Sequence, residues 1–122
     1  MTTLVVAGHA VEFADRRELG QGGPETCTMC IDDRPVVSRF NLGWQLRSLR
    51  FHPTPLEFGG DILIPLRRGT RFYLVRIDPR TLAIRRLSRG FSFMRLLRIS
   101  GAEVEFSTAS DDREIRIQSL VR

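Results

Sequence analysis

The stretch from Asp61 to Ser88 constrains the fold more than any other part of this chain. It reads DILIPL, RRGT, RFYLVRI, DPRT and LAIRRLS in succession, three apolar runs joined by two short polar reversals. That is the pattern of an antiparallel meander. In DPRT, Asp78 caps the first position and Pro79 presets the backbone angle of the second, which is the chemistry of a type I turn. Along the middle run Phe72, Leu74 and Arg76 share one face, and Tyr73, Val75 and Ile77 share the other. A strand with one wet face alternates between apolar and polar residues, and this one is largely apolar on both sides. It is expected to be a central strand with material packed above and below it.

The rest of the chain repeats the theme at spacings of about ten residues. A first run from Leu4 to Ala14 leads into DRRELGQGGPE, residues 15–25, a polar and glycine-rich loop. TCTMCI (26–31) and VVSRF (36–40) flank DDRP, a credible hairpin turn. WQLRSLRF (44–51) changes the parity of its apolar residues midway, which implies a bulge or a short helical turn. HPTPLEFGG (52–60) reads as a loop, because two prolines and a glycine pair oppose regular pairing through it. In RGFSFMRLLRIS (89–100), Phe91 and Phe93 alternate as in a strand, while Phe93, Met94, Leu97 and Arg98 fit a helix; the reading favours a strand. VEFSTA (104–109) and EIRIQSLV (114–121) then pair through SDDR.

No linker, repeat or low-complexity tract divides the 122 residues, so residues 1–122 are read as a single β-rich domain. The expected fold is mostly β: an antiparallel β-sandwich or partly open β-barrel of about eight short strands, with residues 89–100 the one place for a short helix. Residues 59–88, with a strand ending in Ile-Asp-Pro-x-Thr, resemble one blade of a β-propeller. A propeller needs several blades, so the resemblance implies a meander and nothing further.

No window approaches the ~20 apolar residues of a membrane-spanning helix, and the opening MTTLVVAGHAVEFADRR lacks the basic start of a secretion signal. The expected setting is cytoplasmic, with no membrane partner. All 19 basic side chains are arginine, a bias that GC-rich coding produces without any functional demand. Their placement is uneven: the formal net charge is −4 over residues 1–33, +11 over 34–98 and −2 over 99–122.

Arg67, Arg68 and Arg71 surround one turn, Arg85, Arg86 and Arg89 lie near the end of the third strand, and Arg76, Arg95 and Arg98 add to them. Phe72, Tyr73, Phe91 and Phe93 are interleaved with this set. Guanidinium groups on phosphates and bases on rings are how many β-domains hold single strands of nucleic acid. The same composition also describes strands with a core side and a solvated side, and one tyrosine and one tryptophan make few stacking platforms.

Cys27 and Cys30 form a C-x-x-C pair, and His9 and His52 are the only histidines that could complete four metal ligands. In an extended strand, residues three apart point to opposite faces, which argues against a metal grip and for reduced cysteine. No nucleophile elbow, phosphate loop or acid pair outside a turn is present. The sequence therefore predicts a non-catalytic module without a cofactor. Its partner is expected to be a protein or a second copy of itself, and the alternative is nucleic acid bound by the arginines of residues 67–98.

Overall fold

A computed structural model describes residues 2–18, 25–43, 55–109 and 113–120. Within them the chain is all β, with eleven strands in three antiparallel sheets and no helix. The first sheet is the meander β1 (Thr2–Val6), β2 (His9–Glu18), β3 (Glu25–Ile31) and β4 (Arg34–Gly43). The second is β5 (Leu56–Phe58), β6 (Asp61–Arg68), β7 (Arg71–Ile77) and β8 (Ile84–Arg86). The third is β9 (Arg95–Ser100), β10 (Glu103–Ser107) and β11 (Ile115–Ser119).

Tight loops make each sheet a chain of sequential neighbours. Asp32 and Asp33, with φ of 49° and 65°, join Ile31 to its cross-strand partner Arg34. Gly59 and Gly60, at 59° and 82°, do the same between Phe58 and Asp61. Two consecutive left-handed residues mark a type I′ hairpin, whose twist matches that of the strands it joins.

The second sheet is the middle layer. Ile62, Ile64 and Leu66 of β6 and Val75 and Ile77 of β7 pack against Val6, Val11, Phe13, Met29 and Ile31 of the first sheet. Leu63 and Leu74, on the reverse face, pack against Met94, Leu96, Val104, Phe106 and Leu120. The two apolar faces of the 71–77 strand thus serve two separate cores, as its sequence demands. Burying each such side chain is worth roughly 1.5–3 kcal/mol, and a strand apolar on both sides forfeits half of that gain in a two-layer fold.

Proline inside this layer has a position that suits it. Pro65 lies opposite Leu74, whose N–H is donated to Ser88 Oγ and whose carbonyl accepts from Leu87 N–H. The backbone groups of Leu74 therefore point away from β6, and by antiparallel alternation the nitrogen of Pro65 points away from β7. Because β5 pairs only as far as Leu63, no ladder bond is lost there.

The strand favoured for residues 89–100 is present and the short helix allowed there is not: Phe91 bridges to Phe72 and Arg95–Ser100 is β9, because Leu96 and Met94 gain a buried sheet face. Other expectations are corrected. Of residues 15–25, assigned to a loop, 15–18 belong to β2 and Glu25 opens β3, and 19–24 lie outside the described residues. Residues 56–58, assigned to a loop, form β5; both prolines precede it and the glycine pair is its hairpin. The DPRT reversal extends to Ala83, where Asp78 N–H meets the Ala83 carbonyl at 3.0 Å and Leu82 takes φ of 65°. The whole of the ambiguous 44–51 segment, WQLRSLRF, and residues 110–112 of the SDDR turn lie outside the described residues.

Candidate functional site

The pleat of the second sheet sorts the arginines. On β6, β7 and β8, cross-strand pairing puts Arg68, Arg71 and Arg86 on the face shared by Ile64 and Val75. Arg67, Arg76 and Arg85 fall on the opposite face with Leu63 and Leu74. Arginines adjacent in sequence are therefore not one surface. Arg76 is committed to the fold: its Nε donates to Asp61 Oδ2 at 2.6 Å, and its guanidinium lies 5.3 Å from the Phe58 ring centroid. Arg67 donates to the Gly69 carbonyl at 3.0 Å and lies 5.7 Å from the Phe72 ring. Arg98 pairs with Glu105 on the outer face of the third sheet. Among the described residues, no acid lies within ion-pair distance of Arg68, Arg71, Arg85, Arg86 or Arg89.

On the first of these faces, Leu66, Arg68, Tyr73, Val75, Ile84 and Arg86 line an open hollow of about 350 Å³. Arg86 covers the Tyr73 ring at 5.1 Å from its centroid. The hollow combines an apolar floor with two guanidinium groups, an arrangement suited to an anion that carries an apolar or planar body.

A second constellation, outside the arginine runs, occupies the edge between the second and third sheets. The chain after β8 stays beside β7: Phe91 N–H and carbonyl bond Phe72 at 2.9 and 2.7 Å. This carries Phe91 onto Phe106, edge to face, with centroids 5.8 Å apart. Arg89 from this segment and Arg116 from β11 each place a guanidinium carbon 5.0 Å from the Phe91 centroid. Ser88, Arg89, Phe91, Phe106, Arg116 and Gln118 line a groove of about 460 Å³ here, and Ile115 and Ile117 also belong to its lining.

β11 runs against its own polarity. Arg116 and Gln118 lie opposite Phe106 and Val104, on the core side of the third sheet. Ile115 and Ile117 lie opposite Ser107 and Glu105 and are 54% and 59% exposed. Alternation in EIRIQS suggests a half-buried strand, and its apolar set would be assigned to the core. The register with β10 turns that set outwards, so neither Arg116 nor the two isoleucines stand out in the sequence.

The residues considered for a metal are not brought together. Nδ1 of His9 lies 2.5 Å from Asp32 Oδ2, and Ala10 N–H donates to Asp32 Oδ1 at 2.9 Å. The His9 contact, then the Ala10 N–H, hold the Asp32 carboxyl below the ordinary aspartate value. By alternation His9 falls on the Val11 face of β2, whereas Cys30 lies opposite Glu12 and belongs to the other face. Cys27 is paired with Phe40 in the backbone ladder, and His52 lies outside the described residues. Among the described residues, no three histidine, cysteine or acidic side chains converge.

No protein-family model, curated protein or solved structure matches this chain.

Proposed function

We propose that the protein is a non-catalytic β-module that binds another protein, an adaptor or assembly subunit, through the β11 edge of its third sheet. The observation that carries this reading is the outward set of β11: two isoleucines more than half exposed on a strand that, among the described residues, has a neighbour on one side only. Exposed apolar side chains on an open sheet edge invite pairing with another chain. The setting that goes with this reading is the cytoplasm, where Cys27 and Cys30 remain reduced.

Analytical ultracentrifugation over a range of concentrations, with affinity capture of the full chain from a native extract, tests it. A stoichiometric complex or self-association that survives high salt and is lost in Ile115→Lys/Ile117→Lys is expected. A monomer with no salt-resistant partner, or a complex that both substitutions leave intact, overturns it.

A second reading, binding of single-stranded nucleic acid, is favoured by Arg68, Arg71 and Arg86 around Tyr73 on one face. Oligonucleotide affinity should then fall by orders of magnitude between about 50 and 200 mM salt, and replacing these three arginines with glutamine should flatten that slope. No binding at low salt overturns it.

A further inference from the structure

We infer that the groove at the β11 edge takes an extended peptide strand bearing an acidic side chain, with the carboxylate held between Arg89 and Arg116 beside Phe91. The inference rests on the protein-binding reading and adds the chemistry of the partner.

The backbone supplies the first half of the argument. Thr108 N–H donates to the Glu114 carbonyl, and Leu120 N–H to the Ala102 carbonyl, so Glu114 and Leu120 turn their backbone groups towards β10. Antiparallel alternation between these two bonds sends the groups of Arg116 and Gln118 to β10 as well. The N–H and carbonyl of Ile115 and Ile117 then point to the other side of the sheet, where no strand follows among the described residues. An incoming strand would use these groups as its hydrogen-bonding template, the mode of recognition by strand addition.

Charge supplies the second half. Both guanidinium carbons lie 5.0 Å from one ring centroid, so they cannot be further apart than twice that distance. Among the described residues, no acid pairs with either. Two cations gathered at one ring repel each other, and a carboxylate between them replaces repulsion by charge-assisted hydrogen bonds. The groove reaches β11, since Ile115 and Ile117 are among the residues that line it. One strand can therefore pair with the edge and reach the two arginines at once. The isoleucines would meet apolar side chains on the outer face of that strand.

The test is an NMR titration of the full chain with short blocked peptides of alternating Thr and Val, one with a central Glu and one with Gln in its place. The expected result is movement of the Ile115 and Ile117 amide signals together with the Arg89 and Arg116 side-chain N–H signals. The Glu peptide should bind about tenfold more tightly than the Gln peptide. Arg89→Gln and Arg116→Gln should each reduce that preference and leave the amide response in place.

Equal affinity for the two peptides, with the Ile115 and Ile117 amides still moving, overturns the acidic preference and leaves the edge as a protein-binding surface. Movement of the two arginine signals by a short oligothymidine but not by either peptide overturns it in favour of nucleic acid. Absence of any response at millimolar peptide overturns the inference outright, while the salt-resistant complex remains the separate test of the broader reading.

Discussion

Gly90 lies so close to the ring of Tyr73 that a β-carbon built on residue 90 would sit 2.9 Å from Cζ and 3.0 Å from the hydroxyl oxygen. The same β-carbon would meet Cβ of Arg71 at 2.9 Å. Neither obstacle is the free end of a flexible chain, because the ring is packed against the first core and Cβ is fixed to the backbone. Gly90→Ala is therefore expected to destabilise the fold by about 1–3 kcal/mol, the cost of overpacking. Urea denaturation of the two proteins measures it directly.

Neighbouring residues on β6 test the three-layer arrangement. Leu63 and Ile64 are both fully buried, Leu63 in the core shared with the third sheet and Ile64 in the core shared with the first. Leu63→Ala and Ile64→Ala should each cost about 2–5 kcal/mol in urea unfolding. A two-layer fold would leave one of two adjacent strand residues facing water, and its truncation would be nearly neutral.

The Asp61–Arg76 pair is 18% and 19% exposed, enclosed enough for its loss to be felt. Removing one partner of a fully buried pair costs 3–5 kcal/mol, and partial exposure lowers that to about 1–3 kcal/mol. Asp61→Leu and Arg76→Met should each destabilise by this amount. The double substitution should cost less than the two together, since it leaves no stranded charge. Arg76 also donates to the Leu120 carbonyl at 3.4 Å, so part of its effect should persist when Asp61 is already replaced. A double-mutant cycle separates the two contributions.

Acid should weaken the fold through three carboxylates, Asp32 exposed and Asp78 and Glu105 half-buried. Asp32 is held low chiefly by His9, Asp78 by the Arg80 N–H, and Glu105 by the Arg98 guanidinium. With folded values below the ordinary 3.8 for aspartate and 4.5 for glutamate, the unfolded chain binds more protons as pH falls through that range. Their contribution is complete above the ordinary values and is lost as pH drops through the depressed ones. Urea midpoints should hold level from about pH 6 to pH 5 and fall from there to pH 3, and Asp32→Asn should make the acid limb shallower.

Much of this architecture was readable from local chemistry. Asp32-Asp33 and Gly59-Gly60 announce reversals because their backbones tolerate left-handed angles. The run RFYLVRI announces a strand with cores on both sides because neither parity is polar. What misled was also local: the prolines near residue 55 obscured a three-residue edge strand, and the glycine-rich segment hid the end of β2. The candidate site was less legible. Arg67, Arg68 and Arg71 look like one cluster in a linear chain, but a strand turns successive side chains to opposite faces, and a hairpin register decides which of them meet.

The sequence by itself determined the β class, the hairpin-linked order of neighbours and the central place of residues 71–77, because turn geometry and a two-sided apolar pattern are properties of consecutive residues. Only the tertiary structure decided that Arg89 and Arg116 converge on Phe91 and that Ile115 and Ile117 face outwards. Those outcomes depend on how β11 registers against β10 and how the second sheet stacks on the third. Such a relation between distant segments is set by the sum of many packing contacts and is written in no single stretch of the chain.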